Sequence, residues 1–315
     1  MFSIPDFWTS IENFVDYLDL DFTPWIPWLL PPVIIIVFFP YLFLIFTYFT
    51  SLIIFFYKMY RKILGQPYDD VAKETIVKVV AAIWATYGWI WHGYDVVGLE
   101  NIPVDQPILF VYYHGAIPMD IYYFMAWMGL IHTKLIHTVV DRFVFKVPGW
   151  SPIIEAFKGT SGTVESCSSL LKEGHMLAIA PGGTYESQFG DSRYKLMWKK
   201  RLGFAKVALN AKVCIIPVFT RNIREAFRTL SWGRRWWFTL YEATKLPFNP
   251  VYGGFPVKLK TFVGKPIPYD GSLTPEQLRV KVAGALEELI QKHQKMPGSI
   301  MRALWERVYD PEDSS

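Results

Sequence analysis

The chain has 315 residues and a mass of 36.6 kDa, enough to bury a sizeable core as one large domain or two small ones. Apolar residues make up 52% of it and charged residues 19%, against about 25% charge in an ordinary soluble domain. With aromatics at 17%, this excludes intrinsic disorder and points to a membrane-associated protein. Two cysteines, Cys167 and Cys214, exclude a disulfide scaffold and a four-cysteine zinc site. A net charge of +4 is too small to imply nucleic acid as a partner.

Residues 1–21 form the first unit. Phe7, Trp8, Ile11, Phe14, Val15 and Leu18 recur at helical spacing, as expected of an amphipathic helix at a bilayer interface or of one packed on the domain. Residues 22–64 form the second, a transmembrane or re-entrant anchor. No charged residue occurs from 22 to 57, a length well beyond the ~20 residues that a bilayer core requires. Pro24, Pro27, Pro31 and Pro32 disfavour helix at its start, so the clean helical stretch is expected over 33–57. Pro40 either kinks a single span or turns a hairpin. Lys58, Arg61 and Lys62 place the C-terminal flank in the cytosol by the positive-inside rule.

The rest, 65–310 with a short tail over 311–315, alternates helical and apolar strand patterns. Helices are expected over 68–93, 121–131, 165–171 and 202–210. Strands are expected over 108–113, 135–140, 176–180, 213–219 and 257–263. Thr274 with Pro275 and Gln277 opens the last helix as a capping box. This alternation defines an α/β domain. The apolar helix over 121–131 is too short to cross a bilayer.

Chemistry concentrates after the strands. Tyr113-His114-Gly115-Ala116-Ile117-Pro118-Met119-Asp120 places a histidine at a strand end and an aspartate in the first turn of the next helix. An Asp120 carboxylate bonded to one imidazole nitrogen would fix the tautomer and leave the other free as a general base. A structural histidine and a helix-capping aspartate read equally well from these residues alone. Ala180-Pro181-Gly182-Gly183-Thr184-Tyr185-Glu186 follows the next strand but one, and its paired glycines either admit a ligand to the backbone or make a plain turn. The run Trp232-Gly233-Arg234-Arg235-Trp236-Trp237-Phe238 either docks the domain on lipid or buries aromatics capped by arginine. His132, His137 and Asp141 are scattered, as ordinary structural residues are.

In this order and at these separations the motifs resemble the glycerolipid acyltransferase superfamily, the PlsC-like fold: a mixed sheet flanked by helices, here behind an N-terminal membrane-embedded segment. His114 and Asp120 match that family's His-x4-Asp block, with one extra residue between them. Pro181-Gly182-Gly183-Thr184 matches its Pro-Glu-Gly-Thr-like block, and Ile216-Pro217-Val218 its Val-Pro-Val-like strand. Leu99-Glu100-Asn101-Ile102-Pro103, Gly203-Phe204-Ala205-Lys206 and Val263-Gly264-Lys265-Pro266-Ile267 resemble its flanking segments.

The resemblance implies acyl transfer to a hydroxyl, with His114 as base and Asp120 orienting it. Gly115, Pro181, Gly182, Gly183, Thr184 and Glu186 would lie at the substrate. Lys199, Lys200, Arg201 and Lys206 would meet the phosphates of the donor, if they are not simply a solvated helix face. Acyl-CoA is the implied co-substrate, with a phospholipid donor as the variant, and no metal or redox cofactor is implied. Gly182 stands where members with phosphate-bearing acceptors carry Glu, which favours mono- or diacylglycerol and places the chain nearest the diacylglycerol acyltransferase branch. The implied location is the endoplasmic reticulum membrane. The competing readings are a lipid-binding membrane protein with a decayed site and a lipid hydrolase. The hydrolase is disfavoured by the lack of a Gly-x-Ser-x-Gly elbow.

Overall fold

A computed structural model describes residues 26–103, 106–131 and 135–309. The expected helix over 2–20 and the tail over 311–315 lie outside the described residues, as does His132.

The first element among the described residues is a single helix, α1 (Ile26–Ile63), 38 residues long and hence about 57 Å at 1.5 Å per residue. It starts well before residue 33 and runs through Pro31, Pro32 and Pro40 without a break, so the chain does not turn at Pro40. Apolar helices tolerate interior proline when neighbouring groups re-satisfy the freed carbonyls. Among the described residues, 41–63 is the one stretch long and apolar enough to cross a membrane. Phe43, Thr47, Thr50, Ser51 and Ile54 are buried along one stripe, while Tyr41, Ile45, Phe49, Leu52, Phe56 and Tyr60 are exposed. The buried hydroxyls find carbonyl partners: Thr47 Oγ1 donates to Phe43 O of its own helix at 2.9 Å, and Ser51 Oγ to Gly149 O of the α/β domain.

Helix α2 (Asp70–His92) turns back along α1. Asp69 caps it by accepting from Ala72 N at 2.9 Å, and it ends at Gly93 with φ +51°. The two helices meet through Phe46, whose ring stacks on Tyr87 at 4.5 Å and meets Trp84 edge-on at 4.9 Å. Trp84 is fully buried.

The sheet contains β1 (Asp95–Val97), β2 (Ile108–Tyr112), β3 (Ile136–Val140), β4 (Gly159–Ser161), β5 (Met176–Ile179), β6 (Cys214–Arg221) and β9 (Lys260–Val263), in the order β1-β9-β6-β2-β5-β3-β4. All its pairings are parallel except β6 with β9. Every residue of β2 is buried, as befits a central parallel strand covered on both faces. A small antiparallel pair, β7 (Phe227–Thr229) and β8 (Val251–Gly253), stands apart.

The flanking helices are α3 (Met119–Ile131), α4 (Ser151–Ala156), α5 (Val164–Lys172), α6 (Gly183–Phe189), α7 (Gly203–Ala211), α8 (Ile223–Ala226), α9 (Arg234–Thr244), α10 (Pro275–His293) and α11 (Ile300–Trp305). The capping box of α10 forms: Gln277 N donates to Thr274 Oγ1 at 3.2 Å, and Thr274 N donates to Gln277 Oε1 at 2.8 Å. Leu278, Val282, Leu286 and Ile290 make its buried stripe. The fold is therefore the α/β class expected, a mixed sheet flanked by helices behind a long apolar helix.

Candidate active site

Strands β6, β2, β5 and β3 are adjacent and parallel, so their carboxyl ends open on one edge, the usual ligand crevice of an α/β sheet. That edge carries four segments far apart in sequence: His114 after β2, the Pro181-Gly182-Gly183 turn after β5, Asp141 after β3 and Arg224 after β6.

His114 is half-buried. Its Nδ1 lies 2.7 Å from Gly115 O. A carbonyl only accepts, so Nδ1 carries the proton and Nε2 keeps its lone pair. Burial lowers the pKa of the ring to about 4. The Gly115 contact and the Asp141 charge oppose that shift, and Arg224 and Arg201 add to it. The imidazole is thus a neutral base near neutral pH. Its ring is inclined 25° to that of Tyr112, with the centroids 6.3 Å apart.

The partner expected for this ring was Asp120, and here the structure differs. The two side chains share no hydrogen bond. Asp120 is buried at the start of α3, where it accepts from Thr220 on β6 and from the first amides of its own helix. Its Oδ1 has no partner among the described residues. The carboxylate faces Thr220 of β6 rather than the imidazole. Thr220 in turn meets Thr261, and Thr261 meets Tyr94, each at 2.8 Å.

Burial raises the Asp120 carboxyl from its usual 3.8 to about 7. Between these values the unfolded chain releases the proton and the folded chain keeps it, so folding loses stability as pH rises from 4 to 7. An Asp120→Asn variant lacks this loss. Its melting temperature is expected to exceed that of the wild type at pH 8, by about 2–4 °C per kcal/mol for a domain of this size. The gap should close towards pH 4. A gap independent of pH would show that Asp120 does not titrate with folding.

Glu186 was expected at the substrate. It is fully buried and instead accepts two main-chain amides, His114 N at 3.0 Å and Met197 N at 2.8 Å. Burial raises its pKa, against those two bonds and the nearby Arg224 and Arg201 charges. Gly182 makes room for it: a Cβ there would overlap the Glu186 side chain. The first glycine therefore serves internal packing. Gly183 adopts φ +47°, and its N–H bonds Ala180 O at 3.0 Å, so that amide is not available to a substrate. Gly115 is tight as well, since a Cβ would meet Ile223 of α8. Thr184 Oγ1 donates to Asp141 at 2.7 Å, tying α6 to the segment after β3.

Of the four basic residues assigned to the donor, only Arg201 reaches the site. Its Nη1 donates to Pro181 O at 3.0 Å and to Gly182 O at 2.6 Å. Lys199 lies over the Tyr185 ring at 3.6 Å and near Glu242. Lys200 and Lys206 are exposed. The Trp-Arg run divides between its two readings. On α9, Phe238 and Tyr241 pack against Tyr185 and Phe189 of α6, whereas Trp232 and Trp236 are exposed. Residue-by-residue reading missed Arg224 and the placement of Asp141, because neither stands in a recognisable motif.

Residues 93–221 match the family model described as Acyltransferase. The chain is 44% identical, over 302 residues, to the human "DGAT1/2-independent enzyme synthesizing storage lipids", a match covering 96% of this chain and 92% of that protein. It is 26% identical over 183 residues to human 2-acylglycerol O-acyltransferase 3, across 49% of this chain and 53% of that one. Among solved structures, the 1-acyl-sn-glycerophosphate acyltransferase PlsC from Thermotoga maritima aligns with a TM-score of 0.48 at 20% identity, covering 78% of this chain and 96% of that one. The chain belongs to the glycerolipid acyltransferase superfamily, and it is an acyltransferase. The decayed-site and hydrolase readings fall away with that.

Proposed function

We propose that the protein is a membrane-bound O-acyltransferase. It moves a fatty acyl group to the hydroxyl of a neutral glycerolipid, mono- or diacylglycerol, giving di- or triacylglycerol. The observation that carries this reading is the half-buried, neutral His114, its Nδ1–H committed to Gly115 O and its Nε2 left as the base. It stands in a chain closely similar to an enzyme named for synthesising storage lipids.

As the acceptor oxygen attacks the acyl carbonyl, Nε2 takes the hydroxyl proton, and it returns that proton to the leaving thiolate or alkoxide as the tetrahedral intermediate collapses. Backbone N–H groups of the Gly182–Thr184 segment other than that of Gly183 are candidates to hold the developing oxyanion. Asp120 acts from a distance, by anchoring the start of α3 to β6 and so closing the loop that carries His114. Acyl-CoA is the proposed donor, and Arg201, at the glycine turn, is the proposed partner of its charge. The bilayer is the proposed partner of the apolar outer face of α1. Lys58, Arg61 and Lys62 support a cytosolic catalytic domain, on the membrane of the endoplasmic reticulum.

The test uses membranes containing the full chain, labelled oleoyl-CoA and one acceptor at a time: monoacylglycerol, diacylglycerol or lysophosphatidic acid. Labelled acylglycerol from a neutral acceptor is expected. Acylation of lysophosphatidic acid alone would overturn the acceptor assignment. Labelled product from a phospholipid donor but not from oleoyl-CoA would overturn the donor.

A further inference from the structure

Arg224 lies outside every motif that suggested the site, yet it is 1% exposed and meets that site directly. A guanidinium has five N–H donors in a rigid plane, and here five acceptors face them. Nε donates to Tyr113 Oη at 3.0 Å. Nη1 donates to Ser187 O at 3.0 Å and Gly190 O at 3.2 Å. Nη2 donates to His114 O at 3.0 Å and to Glu186 O. Three of these carbonyls close the C-terminal end of α6, where a helix leaves its last carbonyls unpaired. The fourth belongs to the proposed base.

Two further features fit around this group. A Cβ at Gly190 would overlap the guanidinium, so that glycine leaves room for it. Arg224 is itself fixed from behind, its N–H donating to Tyr194 Oη at 3.0 Å. Tyr194 Oη donates to Glu225, and Arg228 closes on Glu225 at 3.2 Å. One buried cation therefore joins the His114 loop, α6 with its glycine turn, and the end of β6.

We propose that Arg224 is a positioning residue for the acyl transfer, setting the His114 main chain against the glycine turn so that the imidazole addresses the acceptor hydroxyl. The proposal rests on His114 as the base. Arg224 does not touch the reacting atoms. It acts through the His114 carbonyl and, with Glu186, through both ends of the same residue's backbone. Misplacing a base by about 1 Å can cost about 10²-fold in rate, so loss of this clamp should fall on kcat.

The charges facing His114 are Arg224 from α8, Arg201 ahead of α7, Asp141 after β3 and Glu186 from α6, with Tyr112 on its own strand. Removing the Arg224 cation takes away one influence that depresses the His114 pKa. The acid limb of kcat/KM should then move to higher pH.

The experiment compares Arg224→Lys, Arg224→Gln and His114→Ala with the wild type, in membranes containing the full chain. Folding is read by thermal melting, and kcat, KM and pH profile by acyl transfer. Arg224→Gln is expected to lose at least about tenfold in kcat with KM within about twofold, and to move the acid limb upward. Arg224→Lys should also lose rate, because an ammonium cannot span the five acceptors, but should keep the wild-type limb.

A kcat within about twofold of wild type in Arg224→Gln overturns the proposal. So does a loss confined to KM, or a loss explained by unfolded protein with the limb unmoved. If Arg224→Gln does not fold, Arg224→Lys decides by the same kcat and KM criteria. Activity retained in His114→Ala would sink the base assignment instead, which keeps the two failures separate.

Discussion

Replacing His114 by Ala should lower acyl transfer by about 10²- to 10⁴-fold, the range that a positioned general base contributes. It should leave the fold intact, because the contacts that organise this loop belong to the His114 main chain. The amide is held by Glu186 and the carbonyl by Arg224, and neither needs the imidazole. The wild-type pH profile carries a second signature. An ordinary histidine loses its lone pair as pH falls through about 6.5, whereas burial holds this ring near 4. kcat/KM of the wild type should therefore stay level from pH 8 to 6 and fall only as pH approaches about 4. A limb centred near 6.5 would contradict the desolvated ring, and a variant within about twofold of wild type would remove His114 from the chemistry altogether.

Much of this architecture is written locally in the chain. The buried strands of the sheet centre stand out as short apolar runs, and the capping box of α10 is explicit in Thr274, Pro275 and Gln277. What escaped was short or depended on distant partners. β1 and β4 have three residues each and sit at the two sheet edges, too short for any alternation to show. α6 looked like a glycine turn, because Gly182 and Gly183 signal flexibility while the helix forms where Tyr185 and Phe189 pack beneath α9. The site divides in the same way. His114 and the glycine turn are legible because they follow their strands immediately. Arg224 is 110 residues from His114, and only the parallel order β6-β2-β5 brings the two together. The Asp120 pairing failed for a related reason. Spacing limits how far a side chain can reach, but Thr220, a hundred residues on, decides which way this carboxylate turns.

Glu186→Ala is expected to be the most destabilising change in the site. It removes a fully buried carboxylate whose two oxygens accept His114 N and Met197 N. Both amides would be left buried and unpaired. Leaving two buried amides without acceptors costs about 1–3 kcal/mol each, and each kcal/mol corresponds to about 2–4 °C of melting temperature in a domain of this size. Activity should fall with it even in the folded fraction, since the His114 amide is no longer held. Glu186→Gln keeps one acceptor but turns its NH2 donor towards a main-chain N–H that needs an acceptor, so its loss should be smaller, about 1–3 kcal/mol. Gly182→Ala offers an independent route to the same defect. Its Cβ would overlap the Glu186 side chain and displace the carboxylate with no change of charge. Thermal melting and acyl transfer on the three variants check the order: Glu186→Ala lowest, and Glu186→Gln nearer the wild type. Gly182→Ala should lose rate together with stability. A Glu186→Ala protein melting within about 2 °C of the wild type, and turning over normally, would mean that the carboxylate does not hold the His114 loop.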